Sequence, residues 1–162
     1  MNHQSGFTLI ELVAVTVVIS ILAAFASSYY SGSGTIAERS FRAEMITAAK
    51  YAQQQSMMDT AEDNTGARLR CYRFAIVTAG SLRQFGPQRN SGSGYQYFGE
   101  DYPVTVTNGL TTSPNTQYIY FDSLGNSVTS CTNSNLLTAT VSVVGDTTIQ
   151  FKVETNGYVH AI

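Results

Sequence analysis

The polarity pattern of the chain changes twice. The first stretch is apolar. Ala14 to Ala26 is interrupted only by Thr16 and Ser20, and no charge falls between Glu11 and Glu38. Phe7 to Tyr30 is about 24 residues, or ~36 Å as a helix, enough to cross a bilayer core. Ser31-Gly32-Ser33-Gly34 follows. Each glycine costs a helix roughly 1 kcal/mol against alanine, so the string predicts a flexible break or a kink. A second helical pattern then begins. Ile36, Ala37, Ser40, Phe41, Met45, Ala48, Ala49 and Ala52 share one face at a 3.6-residue period. Glu38, Arg39, Arg42, Lys50, Gln53 and Gln54 fall mostly opposite, and Glu38 and Arg42 are spaced as an i,i+4 ion pair. The stripe predicts a helix over 31–60, ending near Met57 to Thr60 and packed on a sheet. A partner-binding face is the alternative use of the same stripe.

After Gly66 the period shortens to that of strands. Expected strands are Leu69 to Val77, Tyr95 to Phe98, Val104 to Thr107, Tyr118 to Phe121, Leu137 to Val144, Thr148 to Val153 and Tyr158 to Ile162. Gly80-Ser81, Gly86-Pro87, Asn90 to Gly94, Asn108-Gly109, Asp122 to Asn126, Gly145-Asp146 and Asn156-Gly157 read as the turns between them. Gly145-Asp146-Thr147 lies between two alternating runs and predicts a hairpin. The expected fold class is α+β. A long N-terminal α-helix, transmembrane in its first half (7–30), packs its amphipathic continuation (31–60) on an antiparallel β-sheet domain (61–162).

Composition sharpens this picture. Charged residues make up 12% of the chain and the net charge is −2. The charged share is about half the usual one. Nothing in that balance favours nucleic acid or anionic lipid as the main partner. The apolar excess sits in the first ~30 residues, and the remainder is rich in Thr, Ser, Asn, Gly and Tyr, as in extracytoplasmic β-rich domains. The two cysteines, Cys71 and Cys131, allow one disulfide in an exported chain. Closing a loop of that size is worth roughly 4 kcal/mol by chain entropy. Two unpaired thiols are the alternative. No CxxC motif is present, and His3 and His160 lie at opposite ends.

Three readings compete for the N-terminus. A secretory signal peptide needs a basic n-region and a small-residue cleavage site after the apolar run. Here no Lys or Arg precedes that run, although Ala23 to Ser28 has small residues in the right place. A plain signal anchor explains the apolar run but not Glu11, because a carboxylate placed in a membrane helix costs about 2–3 kcal/mol. The third reading accounts for the residues themselves. Gly6-Phe7-Thr8-Leu9-Ile10-Glu11-Leu12-Val13 resembles the cleavage and methylation motif of type IV prepilins and type II secretion pseudopilins. The leader departs from the family habit in having His3 in place of Lys or Arg. The resemblance implies a leader of residues 1–6, cut between Gly6 and Phe7 by a prepilin peptidase, and N-methylation of Phe7. It also implies an assembly salt bridge between Glu11 and the Phe7 amine of a neighbouring subunit, since a carboxylate in an apolar bundle is tolerated when paired.

Two further strings extend the resemblance. Tyr120-Phe121-Asp122-Ser123-Leu124-Gly125 resembles the Phe-x-x-x-Gly turn of minor pilins and pseudopilins of the GspH/FimT kind, and Val153 to Val159 resembles their final hairpin. Within that kind the chain is most like minor pilins of mannose-sensitive haemagglutinin (MSHA) pili, the MshC group. The resemblance implies a minor structural subunit acting in pilus initiation or at the tip. A minor pseudopilin of a type II secretion system is the alternative. Implied partners are prepilin peptidase, other pilin or pseudopilin subunits, assembly-platform proteins and the inner membrane. The C-terminal domain would be periplasmic, and extracellular or periplasmic once in a filament. Catalytic chemistry finds little support. His160 is the one histidine of the β region, and Glu100-Asp101 are adjacent, so an extended backbone points them apart. Arg68, Arg70 and Arg73 are close in sequence but need not share a face. No cofactor, metal site or nucleic-acid partner is expected, and an anchored enzyme or ligand-binding module is the competing class.

Overall fold

The computed structural model describes residues 9–30, 33–59, 70–79, 82–90, 94–106 and 109–162. It is α+β, with two helices followed by antiparallel strands. Helix α1 spans Leu9–Tyr30 and α2 spans Ser33–Met58. The end of α2 falls where the sequence predicts it. Ser31 and Gly32, where a break is expected, lie outside the described residues, as do Gly80-Ser81 and residues 91–93 of the expected Asn90 to Gly94 turn.

The strands are β1 Tyr72–Ala79, β2 Leu82–Asn90, β3 Tyr95–Tyr97, β4 Val104–Thr105, β5 Thr111–Ser113, β6 Gln117–Phe121, β7 Ser127–Ser130, β8 Asn133–Leu136, β9 Ala139–Val144, β10 Thr148–Val153 and β11 Val159–Ala161. They form two sheets, where the sequence pattern predicts one. The larger is seven-stranded, in the order β3-β2-β1-β6-β7-β8 with β4 also on β2, and the smaller is four-stranded, in the order β11-β10-β9-β5. Helix α2 packs against β1, β2 and β6 of the first and β9, β10 and β11 of the second. It therefore closes one core between both.

The core is apolar and aromatic. Phe41, Met45, Ala48, Ala49 and Ala52 of α2 meet Phe74, Ile76, Phe85, Ile119 and Phe121 from the large sheet, and Val141, Val143, Phe151 and Val153 from the small one. Phe41 packs edge-on to Phe85 at 5.0 Å, and Phe74 edge-on to Phe151 at 6.1 Å. Such pairs add to the area they bury. The core alanines Ala48, Ala49 and Ala52 let the backbone of α2 lie close to both sheets.

The helical stripe is the expected one from Phe41 to Ala52 and departs from it only in the first turns of α2. Ile36 is 70% exposed and Ser40 is exposed, while Glu38 is fully buried. Glu38 does not pair with Arg42. It accepts hydrogen bonds from the Thr147 amide at 2.8 Å and from the Thr147 hydroxyl. Arg42 instead donates to the carbonyls of Gln150 at 3.2 Å and Ile162 at 3.5 Å. These two side chains thus tie the first turns of α2 to the β9–β10 hairpin and to the C-terminal end of the small sheet.

Gly86-Pro87 is likewise not a turn. It lies inside β2, with Ala75 opposite Gly86 and Phe74 opposite Pro87. The glycine is there for close approach. A Cβ on Gly86 would lie 2.9 Å from Tyr102 Cδ1 and 3.1 Å from Tyr97 Cδ1. The expected hairpins at Gly145-Asp146 and Asn156-Gly157 do form, joining β9 to β10 and β10 to β11.

Candidate functional site

Helix α1 is the first candidate. It carries one acidic residue in its first turn, Glu11, and no basic residue in its last. A carboxylate there complements the positive end of the helix dipole. Every described side chain from Leu9 to Ala23 is exposed, including Leu9 at 82% and Leu12 at 64%. The two polar residues of the run turn inward on their own helix. The Thr16 hydroxyl donates to the Val13 carbonyl at 2.9 Å, and the Ser20 hydroxyl to the Thr16 carbonyl at 2.7 Å. Satisfied in this way, they add no polar demand to an apolar surface. Among the described residues no helix is long and apolar enough to cross a membrane. Gly6 and Phe7, expected as the cleavage and methylation site and as the partner of Glu11, lie outside the described residues.

The cysteines do meet. Cys71 and Cys131 form a disulfide with their Cα atoms 5.9 Å apart. It ties the segment entering β1 to the turn between β7 and β8. The Tyr95 hydroxyl donates to Cys71 Sγ at 3.1 Å, so the bridge is roofed by a ring from β3.

The two strings near residues 121 and 157 come together in space. Gln53 of α2 donates to the Gly125 carbonyl at 2.8 Å, and Ser56 of α2 donates to the Asp122 carbonyl at 2.9 Å. The Asp122 carboxylate caps its own turn, accepting from the Leu124 amide at 2.9 Å and the Asn126 amide at 2.8 Å. Gly125 and Gly157 have φ of 83° and 76°, and a Cβ on Gly157 would run into the Gly125 carbonyl. The strings thus form one clamp that joins the end of α2 to both sheets.

Titratable groups sit in three settings. Thr147 holds the Glu38 carboxyl below the usual carboxylate range, first through its hydroxyl and then its amide, against the opposing pull of burial. Lys152, at 2.9 Å, and His160, at 3.2 Å, hold Glu154 down in the same way. Burial, helped by the neighbouring Tyr120, pushes the Tyr95 phenol up. His160 lies on the terminal strand β11, as expected, with its ring stacked 4.9 Å from Tyr158. Arg70 and Arg73 part company: Arg70 pairs with Asp59 at 3.4 Å, while Arg73 lies among tyrosines of the large sheet. Arg68 is outside the described residues. Among the described residues no group of three potential metal ligands converges.

Sequence reasoning missed the setting of Arg73. Its guanidinium stacks 3.5 Å from the Tyr95 ring centroid and 3.9 Å from that of Tyr118. The signal was the recurrence of tyrosine at alternate positions, Tyr95 with Tyr97 and Tyr118 with Tyr120, which places each pair on one sheet face.

A family profile described as the prokaryotic N-terminal methylation motif matches residues 1–27. No curated protein and no solved structure matches the chain. The chain therefore carries the N-terminal methylation motif of prokaryotic prepilin-type proteins, which implies processing by a prepilin peptidase and assembly with other pilin-like subunits.

Proposed function

We propose that the chain is a minor type IV pilin-like structural subunit, without catalytic activity, that enters a filament through α1. One observation carries this reading: the methylation motif leads directly into a helix whose described side chains are all exposed and almost all apolar. An apolar helix surface that its own fold leaves exposed needs lipid or other helices around it. Helix α1 has 22 residues. At 1.5 Å each that is ~33 Å, close to the thickness of a bilayer core. The described side chains stop at Ala23, and the helical backbone continues to Tyr30.

In this reading a prepilin peptidase removes residues 1–6 and Phe7 becomes the methylated N-terminus. Helix α1 holds the subunit in the inner membrane with the β domain in the periplasm. On assembly α1 leaves the lipid for a helical bundle, where Glu11 is neutralised by the Phe7 amine of a neighbour. The strings that meet at Gly125 and Gly157 favour a minor subunit of the GspH/FimT kind, and within it an MSHA-type pilin of the MshC group, acting in initiation or at the tip. The same strings are compatible with a GspH-like pseudopilin of a type II secretion system.

The test is the mature N-terminus. The chain is expressed with and without a cognate prepilin peptidase and measured by intact-mass and peptide mass spectrometry. A product that begins at methylated Phe7 is expected. A product cut after Ala26, or left whole from Met1, would sink the filament reading. Deletion in the native host then separates the two systems: loss of surface pili marks a pilin, and loss of secreted proteins marks a pseudopilin.

A further inference from the structure

A groove runs between α2 and the segment 99–105. Three hollows of about 490, 510 and 230 Å³ adjoin there, sharing Thr47 and Tyr102 at one junction and Glu44 and Val104 at the next. Along α2 the groove extends from Ala37 to Gln54. At 1.5 Å per residue that is about 26 Å. Part of the lining is apolar. Tyr51 and Tyr102 stack with ring centroids 6.4 Å apart, and Val104 and Leu110 continue the apolar part toward the start of α2. The charge of the lining is one-sided, with Glu44, Glu100 and Asp101 set against Lys50 alone. An extended backbone would point Glu100 and Asp101 apart. Here Gly99, at φ 95°, opens a turn in which the Tyr102 amide donates to the Gly99 carbonyl at 3.4 Å, and both carboxylates line one hollow. Burial first, then the charges of Asp101 and Glu44, push the Tyr102 phenol up, so these two carboxylates bear on one ring. Among the described residues none of the three carboxylates makes an ion pair.

Charges of one sign along a concave wall focus the field and draw in the opposite charge. A Lys or Arg head is also attracted to a tyrosine face. The length and the apolar lining suit a polypeptide, since a small cation would fill only part of the groove. A second copy of the chain has little to place there. Of its nine Lys and Arg residues, Arg42, Arg70, Arg73, Arg83 and Lys152 are already bonded within their own fold. We propose that the groove docks a Lys- or Arg-rich segment of another protein, with its cations held by Glu44, Asp101 and the Tyr102 ring. The groove belongs to α2 and the β domain and not to α1, so this docking and filament entry are tested separately.

The test is calorimetric titration of the full-length chain in uncharged detergent micelles with octalysine, octaglutamine and spermine. Octalysine is expected to bind, more weakly as salt rises. Octaglutamine and spermine are expected to bind at least about tenfold more weakly. Glu44→Gln and Asp101→Asn should each weaken octalysine about fivefold. Thr47→Trp obstructs the groove without changing its charge and should weaken octalysine about tenfold. Asp146→Asn removes the same charge from the β9–β10 hairpin and should leave the affinity unchanged. An equal loss in Asp146→Asn would mean that net charge alone is read, and unchanged affinity in Thr47→Trp would mean that the groove is not the seat. Spermine binding as tightly as octalysine would mean a small polyamine. Self-association in sedimentation velocity that octalysine reverses would mean a second copy. Each of these four outcomes, like no binding of octalysine, overturns the proposal. Circular dichroism is recorded for each variant. If Thr47→Trp loses its fold, Glu44→Gln and Asp101→Asn carry the test against Asp146→Asn, and unchanged affinity in both overturns the proposal.

Discussion

Glu38 and Gly157 each do work that their residue type alone does not announce. Glu38 is shut off from water, yet its carboxyl is held below the usual range by Thr147. Gly145 makes room for it, since a Cβ there would strike Glu38 Oε1. A group whose pKa is depressed on folding stabilises the fold above its unfolded value, and that share is lost as pH falls through the folded value. Wild-type thermal stability should therefore fall as pH drops below about 4.5, the ordinary carboxylate value. Glu38→Gln should melt lower than wild type at neutral pH and lose much of that acid dependence. An unchanged melting curve for Glu38→Gln at both pH values would show that the Thr147 bonds contribute nothing. Gly157 is constrained differently. Its φ of 76° strains any other residue, and a Cβ meets the Gly125 carbonyl. Gly157→Ala should cost about 1–3 kcal/mol in urea unfolding. A smaller loss would mean that the two turns can separate at little cost.

At the scale of elements, the legible parts were those with strong periodicity. The end of α2, the β9–β10 and β10–β11 hairpins and the aliphatic runs in β9 and β10 follow from spacing and turn residues. The less legible parts were set by tertiary partners. Strand β2 was hidden because Gly86-Pro87 is turn-like in isolation, and aromatic rings from residues 97 and 102 dictate the glycine. Strands β5, β7 and β8 are short and rich in Ser, Thr and Asn, so they carry little strand signal of their own. Glu38 was assigned to the wrong face because a charge is seldom buried, and its partner lies more than a hundred residues away in sequence. Of the candidate site, the cysteine pair was legible from count and context, whereas the arginine among tyrosines needed the strand register. The disulfide gives a direct check on the sheet's edge. The two cysteines are 60 residues apart in sequence. Reducing the bridge, or Cys71→Ser with Cys131→Ser, should lower unfolding free energy by roughly 2–4 kcal/mol. Equal denaturant midpoints for the oxidised and reduced chain would show that the β7–β8 arm needs no tie.

On the scale of the whole molecule, the chain divides its physics between two ends. The β domain and α2 bury their own apolar surface and close a core. Helix α1 leaves its described surface open, and its exposed positions are almost all aliphatic. A membrane or a bundle of like helices satisfies that surface equally well, because neither solvates it with water. What distinguishes the two environments is Glu11. In lipid a carboxylate near the helix N-terminus can stay at the headgroup level, but within a bundle it must be paired, because an unpaired buried charge is costly. In the proposed filament Glu11 would thus add little to anchoring and much to register between subunits. Glu11→Leu should leave membrane insertion and leader cleavage intact, since it only makes α1 more apolar. It should reduce incorporation into sheared filaments by about tenfold or more at an equal membrane pool, as read by immunoblot of the two fractions. Glu11→Gln separates charge from shape, and it should fail in the same way if pairing with the Phe7 amine is the cause. Wild-type incorporation of both variants would locate the register of assembly elsewhere in the subunit and leave Glu11 as a helix-dipole residue alone.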